Sequence, residues 1–110
     1  MDFDKALLQQ PMALTAQQVD FYQRNRLIKI KNVLDAATIQ YFNGRISQKV
    51  AELNTERRSL EERDTYGKAF LQLFNLWRED EAIKALVFSP RLASIAAQPV
   101  QADGVRLYHD

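Results

Sequence analysis

Apolar residues along this chain follow two spacings, and each predicts a different kind of element. Ile39, Phe42, Ile46, Val50 and Leu53 recur in steps of three and four, one narrow stripe on a helix. Asp35 stands at its N-cap, with Leu34 and Ile39 placed as a hydrophobic staple. Gly44 inside that helix costs about 1 kcal/mol relative to Ala, which the stripe absorbs if it packs on a sheet. An earlier helix is announced by Thr15 followed by Gln18, a capping box, with Leu14 and Val19 as its staple. Further on, Asp80 caps a short helix carrying Ile83, Leu86 and Val87, and Ser89-Pro90 starts another that Pro99 ends.

The second spacing is strict alternation. In Arg26-Leu-Ile-Lys-Ile-Lys31, Ile28 and Ile30 alternate with Lys29 and Lys31, the pattern of a half-buried strand with a charged outer side. After the turn residues Asp103-Gly104, Val105, Leu107 and His109 fall on one face and Arg106, Tyr108 and Asp110 on the other, which predicts a second strand. The two spacings together predict an α+β chain. A sheet of two or three strands with open edges is marginal alone, so this reads as the front end of a longer fold, prone to self-association through its unpaired strand. Residues 1–13, with Pro11, are expected to form an N-terminal arm that docks loosely or frays, and 14–110 to form one unit. From Thr55 to Thr65 charge is dense and periodicity is lost, the mark of a solvated helix extension or a loop.

Composition narrows the function classes. The 110 residues carry 15 basic and 14 acidic side chains, interspersed, for a net charge of +1. No electrostatic footprint for nucleic acid or an anionic membrane surface results. The absence of cysteine removes disulfides, thiolate metal sites and cysteine nucleophiles together. No apolar run approaches the roughly 18 residues of a membrane span, and the N-terminus lacks a signal-peptide pattern, so a cytoplasmic location is expected.

Candidate chemistry is sparse. His109 is the only histidine, and on a strand it and Asp110 would face opposite ways, so the pair could not chelate one ion. Gln72 and Asn75 are uncharged amides set among Phe70, Leu71, Leu73, Phe74, Leu76 and Trp77. Buried there, each must find hydrogen-bond partners, which the backbone or a ligand carboxylate would supply. Gly44, Gly67 and Gly104 are too scattered for a phosphate loop. Arg24, Arg26, Lys29 and Lys31 would grip an anion or serve as a solvated edge. The pairs Glu61-Glu62 and Glu79-Asp80 lack the apolar setting that raises a pKa for acid catalysis.

The order of segments is recognisable. Leu14-Thr-Ala-Gln-Gln-Val-Asp-Phe-Tyr-Gln-Arg-Asn-Arg-Leu-Ile-Lys-Ile-Lys-Asn-Val-Leu34 comes first, followed by Tyr66-Gly-Lys-Ala-Phe-Leu-Gln-Leu-Phe-Asn-Leu-Trp77. Phe88-Ser-Pro-Arg-Leu-Ala-Ser-Ile-Ala-Ala97 and Val105-Arg-Leu-Tyr-His-Asp110 complete the series. It resembles the N-terminal part of the phytanoyl-CoA dioxygenase family. The resemblance implies helices beside the first strands of a double-stranded β-helix, or jelly roll. It implies an enzyme that uses iron(II), 2-oxoglutarate and dioxygen to hydroxylate a small organic or acyl substrate. The family's iron ligands, a His-x-Asp pair and a distant His, match no position in this chain, so neither iron(II) nor 2-oxoglutarate is expected to bind it alone, and it is expected not to be catalytic by itself. The resemblance puts Gln72, Asn75 and, more weakly, His109 at the cosubstrate or substrate pocket. Arg26 stands where family members often carry glycine, so the turn there must avoid positive φ or bear strain. The alternative is a stand-alone helical binding module that has lost the barrel.

Overall fold

The computed structural model describes residues 3–54, 58–69 and 72–110. Six α-helices run in order among them: α1 (Lys5–Gln9), α2 (Ala16–Asn25), α3 (Ala36–Leu53), α4 (Thr65–Ala69), α5 (Glu81–Val87) and α6 (Pro90–Ala97). Short 3-10 turns lie at Leu60–Glu62 and Leu76–Arg78. Phe70, Leu71 and residues 55–57 of the charged stretch lie outside the described residues.

Helix starts follow local side-chain chemistry. Thr15 and Gln18 form the reciprocal capping box of α2, Asp35 accepts from the Thr38 N–H at 2.8 Å, and Ser89 accepts from the Leu92 N–H ahead of Pro90. The carboxylate of Asp80 accepts from the N–H groups of both Ala82 and Ile83. α2 ends at Arg26 in the left-handed region, φ 62° and ψ 17°, with its N–H bonded to the Tyr22 carbonyl. A non-glycine residue therefore makes that turn, at a cost of about 1 kcal/mol.

The α+β expectation is overturned: among the described residues there is no strand, so no part of a jelly roll is present. Residues 27–32 and 104–110 are irregular or extended, and no backbone hydrogen bond joins either to another segment among the described residues. Alternation in the sequence reports which side chains can share a face; only a partner's N–H and C=O groups turn extended chain into a strand. At 105–110 even the alternation fails, since residues 104–109 are all exposed.

The core is thin. Leu8, Phe42, Leu76, Ile83 and Ala97 are its buried apolar members among the described residues. α1 packs on α6, α3 on α5, and the Leu76–Arg78 turn on α5. Phe3 lies over Tyr41 and Phe42, with ring centroids 4.6 and 5.1 Å away. Of the stripe on α3 only Phe42 is buried, while Ile39 is 48 % exposed. The radius of gyration, 16.8 Å, exceeds the roughly 13 Å of a closed domain this long, so the helices spread into a layer.

The N-terminal arm is knit in rather than loose. The Met12 N–H donates to Ser94 Oγ at 3.0 Å, the Leu14 N–H to Gln98 Oε1 at 2.8 Å, and Gln98 Nε2 to the Met12 carbonyl at 2.7 Å. Arg91 donates to the carbonyls of Gln10 and Val33, closing the arm and the start of α3 against α6.

Candidate functional site

The stretch from Gln72 to Trp77 and the segment from Val105 to Asp110 meet at one corner of the molecule. Both carboxylate oxygens of Asp110 are engaged at 3.0 Å, one by the Leu76 N–H and the other by the Trp77 N–H. These are donors that a 3-10 turn leaves without a partner of its own. Phe74 and His109 stack edge to face at 5.0 Å between centroids, and Tyr108 lies 4.9 Å from the same imidazole. On the far side of the turn, Trp77 meets Phe88 edge to face at 5.1 Å. Arg78 and Lys84 stand over the indole at 5.2 and 5.9 Å.

The three candidates from sequence have different surroundings. Asn75 is half-buried at φ 59° and ψ 44°, and its Oδ1 accepts from Trp77 Nε1 at 3.3 Å. Its side chain and its tolerance of the left-handed region serve the turn itself. Gln72 is exposed, and its Oε1 accepts from the Tyr66 hydroxyl. Its amide N–H groups have no hydrogen-bond partner among the described residues and are able to donate to a carboxylate. His109 is exposed between two aromatic rings, with Nδ1 3.2 Å from the Asp110 carbonyl oxygen. Phe74 bridges the Asn75 turn to His109, while Gln72 looks toward α4.

The donor set of this chain does not fit the iron that the resemblance implies. One histidine cannot supply two imidazole ligands, and the neighbouring carboxylate is committed to two backbone N–H groups. The described residues contain no group of three or more His, Cys, Asp or Glu side chains arranged to hold a metal.

Sequence reasoning missed two features. Asp110 as the cap of the Leu76–Arg78 turn carries no local signal, because it acts on residues 34 and 33 positions earlier. The ion pair of Arg45 with buried Asp80 ties α3 to the start of α5. Burial pushes the Asp80 carboxyl up, but the Ile83 N–H, Arg45 and the Ala82 N–H outweigh it and hold the pKa below the ordinary aspartate value. Only its capping half was legible.

No protein-family model, curated protein or solved structure matches this chain. No helix among the described residues is long and apolar enough to cross a membrane.

Proposed function

We propose that this chain contributes the helical flank and pocket edge of an iron(II)- and 2-oxoglutarate-dependent dioxygenase acting on a small organic or acyl substrate, and is not catalytic by itself. The observation that supports this reading is the corner where Phe74 meets His109 and Asp110 caps Leu76 and Trp77. It gathers two segments of the resemblance that lie far apart in sequence. Beside it, on the α4 side, the exposed Gln72 amide is free to donate to a cosubstrate carboxylate, and the metal ligands come from residues outside these 110.

The test is succinate formation from 2-oxoglutarate by the complete gene product with iron(II) and dioxygen. Gln72→Leu is expected to lower turnover or cosubstrate affinity by about one to two decades, because it removes the amide that would donate to the cosubstrate carboxylate. Thermal stability is recorded alongside. No succinate from the complete product, or unchanged kinetics in the variant, rejects the reading.

The second reading is a helical binding module. It is favoured by the breadth of uncovered apolar surface, including Tyr108 at 94 % exposure and Leu27 at 66 %. A complete product that binds a protein partner and forms no succinate selects it.

A further inference from the structure

Residues 27–32 alternate in burial as a strand does but pair with no strand among the described residues. Leu27, Lys29 and Lys31 are exposed while Ile28 and Ile30 are half-buried, so the alternation is realised in space. The segment is bounded by left-handed residues at both ends, Arg26 at φ 62° and Asn32 at φ 61°. None of its backbone N–H or C=O groups has a hydrogen-bond partner among the described residues. A row of unpaired backbone groups is a template for another strand.

An apolar hollow of about 330 Å³ lies beside it, walled by Tyr22, Ile28, Ile30, Ile95 and Pro99. Arg26, Lys29 and Lys31, next to Ile28 and Ile30 along the chain, are exposed and take part in none of the ion pairs among the described residues.

We propose that this edge binds an extended peptide segment of a partner protein in which acidic and apolar residues alternate. The incoming strand pairs its backbone with residues 27–31, sends its apolar side chains into the hollow, and sets its carboxylates opposite Lys29 and Lys31. A second copy of this chain is the wrong occupant, because antiparallel self-pairing brings Lys29 and Lys31 against one another. None of these residues belongs to the 72–77 or 105–110 segments, so failure of the Gln72 test and failure of this one are read at separate places in the chain.

The experiment titrates the isotope-labelled full chain with the capped hexapeptide Glu-Val-Glu-Val-Glu-Val, read by amide shifts and hydrogen exchange. The expected result is slowed exchange at alternate amides of residues 27–31. A Lys-Val counterpart is expected to bind about tenfold more weakly, from two like-charge pairs replacing two opposite ones. Exchanging Lys29→Glu together with Lys31→Glu, both exposed and so tolerated by the fold, inverts that preference. Methylation of alternate peptide nitrogens abolishes binding. Binding that survives methylation, the absence of protection at 27–31, or self-association through this segment without peptide would each overturn the proposal.

Discussion

Residues 10–14 and residues 104–110 are both irregular chain at the edge of the same helical layer, yet one is stitched down and the other is laid on. Ser94 of α6 and its C-cap residue Gln98 take up the backbone of Met12 and Leu14, and Arg91 reaches the Gln10 carbonyl. The far segment has exposed residues throughout 104–109, held by the Asp110 carboxylate and one ring contact with Phe74. The difference lies in the receiving helix. Arg91, Ser94 and Gln98 recur on one side of α6 in steps of three and four, giving a ladder of donors and acceptors matched to extended backbone. Among the described residues no helix offers such a ladder to residues 104–109.

The largest expected effect is at Leu8, 2 % exposed where α1 meets α6. Leu8→Ala should cost about 3 kcal/mol in urea unfolding, by lost burial and the cavity left behind. A loss under about 1 kcal/mol would show that the arm contributes little, and the contrast between the two ends would fail.

Gln98→Leu comes next. It leaves the Leu14 N–H and the Met12 carbonyl without partners and should cost about 2 kcal/mol. The arm's amides should also exchange faster well below the global transition. Unchanged exchange at Met12 and Leu14 would mean that apolar packing alone holds this end.

Asp80 offers a control away from both ends. Its folded pKa is lowered, so its contribution is fully present above the ordinary aspartate pKa and is lost as pH falls through the lowered value. Thermal melts should therefore weaken on acidification more steeply for the unmodified chain than for Asp80→Asn, with Gln98→Leu following the unmodified slope. Parallel slopes for the unmodified chain and Asp80→Asn would remove the Arg45–Asp80 link from the stability account.

Asp110→Ala is expected to change global stability by no more than about 0.5 kcal/mol. Its effect should be local, with faster amide exchange at Leu76 and Trp77 and loss of the ring-current shift between Phe74 and His109. A cost as large as that of Gln98→Leu would erase the distinction between the two ends.

Much of the helical layer was legible in the chain itself. Thr15 with Gln18, Asp35, Asp80 and Ser89-Pro90 each announce a helix start, because a cap acts on N–H groups two or three residues away and needs nothing else. What tertiary structure decided was every outcome that depends on a distant partner. Ile28 and Ile30 alternate with lysines as a strand does, yet no neighbour among the described residues supplies the ladder. Gln72 and Asn75 read alike as amides among apolar residues, and only the fold separates an exposed side chain on Tyr66 from one spent on the Trp77 turn. Asp110, silent in sequence, closes that turn across more than thirty residues. Periodicity and capping are written over one or two helical turns, whereas pairing, burial and long-range capping depend on which surfaces meet, and short-range pattern does not encode that.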